Sequence, residues 1–226
     1  MLLLLTGTLI VVLRAPSVIY VGVDSKVIAV GASISSTATQ PKMHTLDGVV
    51  FAHAGIFKDL HGKLDAVAAA NQAIAAGGDL DAIVERFGDR VQPELQVVLP
   101  EIKAENPAYF NAKMTQPLVM LFASARDGTP RVAAISFDLV PGSMELAVKV
   151  VRCPGDCDAR VTNAMSLGEH DAADRFLDHY SQSDLVKDPV GAIRRTIDYQ
   201  AIATPDFVSL PATIMQVTAG GISAVP

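Results

Sequence analysis

The dipeptide Gly7-Thr8 stands at the start of an apolar, β-rich run and pairs a small residue with a hydroxyl nucleophile. Threonine is a weak nucleophile inside a chain, but as a first residue it can use its own α-amine as the base. The glycine leaves the preceding carbonyl open to attack by the Thr8 hydroxyl. Gly7-Thr8 therefore indicates a self-cleavage point that creates an N-terminal nucleophile, if supporting groups lie at the right distances.

Four further residues are spaced so that folding can bring them to Thr8. Asp24 lies sixteen residues after Thr8, at the end of the second predicted strand. A hairpin would return this strand end to the start of the first strand, beside Thr8. Lys26 follows two residues later on the same face. Lys42 opens the next strand, where its charge would favour the Thr8 alkoxide while Asp24 orients it. Gly55 ends a fourth strand and is placed to give an oxyanion N–H donor. Taken singly, each residue has a plainer explanation. Asp24 could be a turn residue at a strand end, Lys42 a solvated surface lysine, and Gly55 a residue that gives the backbone freedom before a helix.

This stretch resembles the N-terminal part of a proteasome β-type subunit, including its bacterial relatives of the HslV type. The shared pattern is a Gly-Thr processing site, an aspartate, a basic residue, a lysine that opens a strand, and an Ala-Gly pair. This chain has Gly7-Thr8, Asp24, Lys26, Lys42–Asp47 and Ala54-Gly55. The resemblance implies an α+β fold, the four-layer αββα sandwich of N-terminal-nucleophile hydrolases.

The resemblance also implies roles for residues outside this stretch. Asp206 and Ser209 match an Asp-x-x-Ser motif that supports the threonine amine in the family, with a plain loop residue after Pro205 as the alternative for Asp206. Ser166 is the nearest counterpart of a further supporting serine, although a helix-capping role explains it equally well. His53 would point into the pocket for the side chain that precedes the cut bond, with a core or surface histidine as the alternative. This chemistry requires no metal or organic cofactor.

The function that follows is a threonine-type endopeptidase, self-processed into a leader over residues 1–7 and a single domain over residues 8–226. The alternatives are a catalytically silent structural subunit of the same fold and an amidase that acts on small amides. The resemblance further implies peptide or unfolded-protein substrates, a homo-oligomeric ring or related assembly, and an ATPase as a partner.

The elements that must position these residues are predicted from hydrophobic patterns and turn signals. Strands and helices occur in runs, which favours antiparallel sheets with helices packed outside over a parallel sheet. Pro93 and Pro100 are expected to loosen the chain after the second helix. Strands are predicted over residues 8–13, 17–24, 43–46, 49–54, 118–125, 131–138, 144–151 and 212–218, and helices over 60–74, 80–91, 170–180 and 190–203.

Composition sets outer limits on function and location. The 226 residues have a mean hydropathy of +0.34, a net charge of −6 and no Trp, which supports a sizeable core and argues against a nucleic-acid-binding surface. The apolar segment 1–13 is shorter than the roughly 20 residues that span a bilayer. A cytoplasmic location is expected, with export as the alternative if translation starts upstream of Met1. Cys153 and Cys157 are either two free thiols on a turn or a local disulfide.

Overall fold

The computed structural model describes residues 4–7, 9–30, 34–39, 41–59 and 61–226, with the backbone alone for residues 4–7, 29–30, 34–39 and 113. The predicted nucleophile, Thr8, lies outside the described residues. The described strands are β1 (Leu4–Gly7), β2 (Leu9–Arg14), β3 (Val18–Val23), β4 (Lys26–Val30), β5 (Ile34–Thr39), β6 (Met43–Leu46), β7 (Val49–Asp59), β8 (Leu118–Ser124), β9 (Arg131–Leu139), β10 (Leu146–Cys153), β11 (Asn163–Gly168), β12 (Thr213–Thr218) and β13 (Gly221–Val225). The described helices are α1 (Ala66–Ala75), α2 (Leu80–Glu105), α3 (Pro107–Lys113), α4 (Asp171–Leu177), α5 (Gln182–Lys187) and α6 (Pro189–Ala203).

Two antiparallel sheets stack between two helical layers. The larger sheet has the order β10-β9-β8-β7-β1-β4-β5, with β6 also paired to β7, and the smaller has the order β11-β2-β3-β12-β13. One apolar core joins the larger sheet to α1 and α2, a second lies between the sheets, and a third joins the smaller sheet to α4 and α6. The predicted α+β fold with four αββα layers is confirmed.

The second helix runs further than its sequence suggests. Pro93 and Pro100 both lie inside α2, where each removes one backbone donor. The helix nevertheless continues to Glu105 because it keeps a buried apolar face, and the expected loosening is not observed. Beyond the predicted helix end at Val91, that face carries Leu95, Val98, Leu99 and Ile102.

The leader segment forms a strand inside the larger sheet. Strand β1 lies between β4 and β7, and its last residue, Gly7, pairs with Val27 on one side and Gly55 on the other. Two residues later, Leu9 opens β2 in the smaller sheet. Gly7 and Leu9, the described residues on either side of Thr8, therefore belong to different sheets.

Strands β6 and β1 share one edge of the long strand β7. Met43 in β6 pairs with Ala52, and Gly7 in β1 pairs with Gly55. The two short strands therefore meet end to end across two residues of β7. This arrangement brings Lys42, directly before β6, towards the end of the leader strand.

Two further findings concern the cysteines and the question of a membrane-spanning helix. Cys153 and Cys157 are joined as a local disulfide, which selects that alternative over two free thiols. Within the described ranges, no helix is both long and apolar enough to cross a membrane.

Candidate functional site

The carboxylate of Asp24 is the centre of the site. It is 1% exposed, and its Oδ1 accepts hydrogen bonds from the Leu9 backbone N–H at 3.1 Å and from Lys42 Nζ at 2.6 Å. Its Oδ2 accepts the backbone N–H groups of Lys26 at 2.9 Å and Ser209 at 3.2 Å. One buried carboxylate thus links Leu9, the residue after Thr8, by hydrogen bonds to the segments that contain Lys26, Lys42 and Ser209.

Lys42 places a buried charge next to the start of β2. Its side chain is 1% exposed and forms an ion pair with Asp24. Burial lowers the pKa of Lys42 below its usual value, while the charge and hydrogen bond of Asp24 oppose this shift and the nearby Lys26 charge adds to it slightly. An ammonium in such a dry environment interacts strongly with negative charge that develops within a few ångströms.

The segment after α6 closes the site from the other side. Ser209 contacts Ser25 in two ways. The Ser25 N–H donates to the Ser209 carbonyl at 3.1 Å, and the two hydroxyl oxygens lie 3.2 Å apart. The Lys26 ammonium donates to the Pro205 carbonyl at 2.6 Å. The structure therefore brings Asp24, Lys26, Lys42 and Ser209 together, and the catalytic roles expected of them remain predictions.

Asp206 has no described contact with the Asp24 site. Its side chain is exposed, and within the described part of the chain no hydrogen bond or ion pair involves it. The neighbouring backbone, at Pro205 and Ser209, is what reaches the Asp24 site. The supporting role predicted for the Asp206 carboxylate remains a prediction.

Gly55 has a structural reason to be glycine. Its φ is +91°, and a Cβ there would lie 2.2 Å from the Pro117 carbonyl oxygen. The same oxygen accepts the Ile56 N–H at 2.7 Å. Gly55 also pairs with Gly7, so its backbone lies beside the bond that the sequence marks for cleavage. That position suits the predicted oxyanion role without establishing it.

Ser166 forms its side-chain hydrogen bond with Asp174 and not with Asp24. Its hydroxyl donates to one oxygen of Asp174, and the other oxygen of that carboxylate lies 2.6 Å from His170 Nδ1. Because Ser166 pairs with Val11 and Gly168 pairs with Leu9, the cluster sits one strand away from the start of β2. Sequence reasoning missed His170 and Asp174, although their i, i+4 spacing on a predicted helix was a usable signal.

His53 is fully buried on the face of β7 that packs against the helices. Its ring lies 3.9 Å from the Phe57 ring and 5.9 Å from the His44 ring, measured between centroids. Within the described residues neither ring nitrogen has a hydrogen-bond partner. The substrate-pocket role predicted for His53 stays a prediction.

Comparison with known proteins establishes the fold. No family model matches the chain, and no curated protein does. Among similar solved structures are Anbu from Hyphomicrobium sp. strain MC1 and its Gly-1 mutant, each 15% identical over 97% of this chain and 85% of the other, with TM-scores of 0.55 and 0.54. The fold is the proteasome-related, N-terminal-nucleophile hydrolase fold. At this identity the likeness concerns the fold alone.

These findings correct the family assignment made from the sequence. The similar structures named above are of Anbu, a protein of a related but distinct family, and no family model or curated protein links the chain to the HslV type. The assignment to the proteasome β-type and HslV-type family was therefore wrong. It was drawn from short motifs around Thr8, which proteins of one fold can share without belonging to one family.

The described residues offer no evident metal site. No group of three or more His, Cys, Asp or Glu side chains among them is arranged to hold a metal ion. The chemistry available to the described site is that of its buried ion pair, its backbone N–H groups and its hydroxyls.

His53 should make the protein sensitive to acid. Burial, followed by the charges of His44 and Lys42, lowers the pKa of His53 from 6.5 to about 3. Between these values the unfolded chain binds more protons at this residue than the folded chain does, so stability falls as the pH falls from 6.5 towards 3. The slope from this residue is at most about 1.4 kcal/mol per pH unit.

His53→Phe should remove that slope, because phenylalanine fits the apolar surroundings and does not titrate. The measurement is urea unfolding of both proteins at several pH values from about 7 to about 4, which spans most of the window in which the two states differ in bound protons. The exposed His61→Gln serves as the control and should keep the wild-type slope. Equal pH dependence of wild type and His53→Phe would contradict the neutral, buried state of His53.

Proposed function

We propose that this protein is a threonine-type peptidase that first cleaves its own Gly7–Thr8 bond and then hydrolyses peptide bonds with Thr8 as the nucleophile. The observation that carries the proposal is the buried Asp24–Lys42 pair, bonded through Asp24 Oδ1 to the N–H of Leu9. It places a desolvated positive charge beside the residue that follows Thr8.

The self-processing step follows from these contacts. The Thr8 Oγ–H group adds to the Gly7 carbonyl carbon, the Gly7–Thr8 C–N bond breaks, and an ester remains on Oγ while the Thr8 nitrogen takes up a proton as a free amine. Water then hydrolyses the ester, giving the carboxyl group of Gly7 and a free hydroxyl on Thr8. The Lys42 ammonium stabilises the alkoxide character of Oγ, Asp24 holds the ammonium in place, and the Gly55 N–H is the proposed oxyanion donor.

The same groups serve turnover of substrate. The α-amine freed by processing becomes the general base, directly or through a water, so that each later attack needs no other base. Ser209 and Lys26 bind Asp24 through their backbone N–H groups and keep its carboxylate oriented. In this role they position the catalytic groups without touching the substrate.

The position of the leader favours peptides over small amides as substrates. Strand β1 is hydrogen-bonded to both β4 and β7, with Gly7 opposite Gly55. Release of the leader would leave a slot between two strands, which an extended peptide can fill by pairing with both edges. A small amide could not use these backbone groups.

One observation supports the catalytically silent alternative. Residues 4–7 form an inner strand of the larger sheet, and removing an inner strand costs its ladder of hydrogen bonds. A chain that keeps its leader would retain an intact sheet and a purely structural role. Ring assembly and an ATPase partner remain predictions under either alternative.

Intact-mass spectrometry and a fluorogenic-peptide assay test the proposal together. The purified wild type should begin at Thr8 and hydrolyse peptidyl-coumarin substrates. Thr8→Ala should retain residues 1–7 and lose hydrolysis by at least about a thousandfold, because the nucleophile is absent. Thr8→Ser should keep processing, and the exposed Thr129→Ala should match the wild type.

Two results would count against the peptidase. A wild-type chain that begins at Met1 and is inactive supports the silent alternative. Processing and turnover of small amides without cleavage of any peptide would select an amidase instead.

A further inference from the structure

A cavity of about 390 Å³ opens beside the proposed cleavage point. Its lining includes Gly55, which is the cross-strand partner of Gly7, and Gly168, which is the cross-strand partner of Leu9. The cavity is therefore bordered by the partners of both residues that flank Thr8. None of the roles proposed above uses this space.

His170 reaches this cavity in a fixed orientation. Its Nδ1 lies 2.6 Å from Asp174 Oδ2, and the other oxygen of Asp174 accepts the hydroxyl of the buried Ser166. Because a carboxylate only accepts, the Nδ1–H group of His170 donates to Asp174, and Nε2 is the ring nitrogen left to contact a ligand. Among the described residues, nothing is hydrogen-bonded to His170 Nε2.

The position of the leader indicates which part of a substrate meets the cavity. The residues before the cleaved bond occupy the slot between β4 and β7, as β1 does in this structure. Leu9 remains in β2, paired with Gly168, after processing, so the residue after a substrate's cut bond needs open space beside that strand. The cavity, which is bordered by Gly55 and Gly168, offers such a space.

The walls of the cavity have a mixed character. Met114 and the ring of Tyr109 contribute apolar surface, and the lining also holds Glu169, His170 and Asp171. A side chain with an apolar stem and N–H donors at its tip matches this combination.

We infer that this cavity binds the residue immediately after the cleaved bond, and that His170, held by Asp174, selects lysine or arginine at that position. This inference rests on the proposed peptidase function. His170 acts as a specificity-determining residue: its Nε2 accepts an N–H from the substrate side chain, while the nucleophile and oxyanion groups are unchanged. One such hydrogen bond corresponds to a preference of roughly tenfold.

Internally quenched peptides test the preference directly. The set shares one sequence before the cut and carries Lys, Arg, Leu or Glu after it, with the cut site located by mass spectrometry. Wild type should cleave the Lys and Arg peptides with kcat/KM about tenfold above the Leu peptide. His170→Ala should bring that ratio close to one, and Asp174→Asn should lower it. His179→Ala, which changes an exposed histidine just beyond α4, should retain the wild-type ratio.

A binding measurement separates this inference from the proposed function. Thr8→Ala protein with isotope-labelled histidine is titrated with the dipeptides Lys-Ala and Leu-Ala, and the His170 resonance is assigned from His170→Gln. Lys-Ala should shift that resonance at about one tenth of the Leu-Ala concentration.

The outcomes are distinct. Selective binding without hydrolysis by the wild type would contradict the peptidase and leave the cavity's preference standing. Hydrolysis by wild type with equal rates for the Lys and Leu peptides, an unchanged ratio in His170→Ala, or equal binding of the two dipeptides would overturn the inference.

Discussion

Replacing Asp24 by asparagine is expected to cost about 3 to 5 kcal/mol of unfolding free energy and to abolish cleavage at Gly7–Thr8. Among the described contacts, the Asp24 carboxylate accepts two donors on each oxygen: Leu9 N–H and Lys42 Nζ on Oδ1, and the N–H groups of Lys26 and Ser209 on Oδ2. Whichever way an asparagine side chain turns, its NH₂ group faces two donors. The Lys42 charge would at the same time lose its buried counter-charge.

The measurement is equilibrium urea unfolding together with the intact mass of the purified chain. Asp206→Asn is a matched control because the same chemical change is made on an exposed carboxylate shortly before Ser209 in the chain. We expect it to change stability by less than about 0.5 kcal/mol.

A double variant identifies the source of the loss. If the unpaired Lys42 charge dominates, Asp24→Asn combined with Lys42→Met should be more stable than Asp24→Asn alone, since no buried charge remains. Both variants should keep the leader, because neither retains the ion pair. Near-wild-type stability and normal processing in Asp24→Asn would contradict the central place given to this carboxylate.

The part of the site that the sequence predicted depends on regular geometry. A hairpin over β2 and β3 must return its end to its beginning, so the contact of Asp24 with Leu9 follows from strand lengths and the turn between them. The approach of Lys42 likewise follows from the hairpin of β6 and β7 around Asp47-Gly48. Local patterns are therefore enough to bring Lys42 and Asp24 close together.

The parts that escaped prediction depend on tertiary pairing. Strand β1 is short and apolar, and nothing in its pattern says that it lies between β4 and β7. Asp206 was assigned by its motif. In the loop after α6, however, the Ser209 backbone N–H reaches Asp24 while the Asp206 side chain is exposed. The cluster of Ser166, His170 and Asp174 joins a strand to a helix, so its members have no common periodicity in the sequence.

Gly55→Ala should be the most damaging change in the larger sheet, costing about 3 kcal/mol or more. Two effects add up: a non-glycine residue at φ +91° costs roughly 1 to 2 kcal/mol, and the new Cβ would lie 2.2 Å from the Pro117 carbonyl oxygen. That oxygen belongs to the backbone and also accepts the Ile56 N–H. Relief of the clash would therefore have to move β8 away from β7.

Gly62→Ala separates the two effects, because Gly62 has a φ of +74° and, apart from its chain neighbours, no atom of the described residues lies within 4 Å of the place that an added Cβ would take. It should lose only the backbone cost of roughly 1 to 2 kcal/mol in urea unfolding. The difference between the two variants then measures the close approach of β7 to Pro117. If both lose the same amount, the strands separate easily at Gly55, and a rigidly held oxyanion donor at that position would no longer be supported.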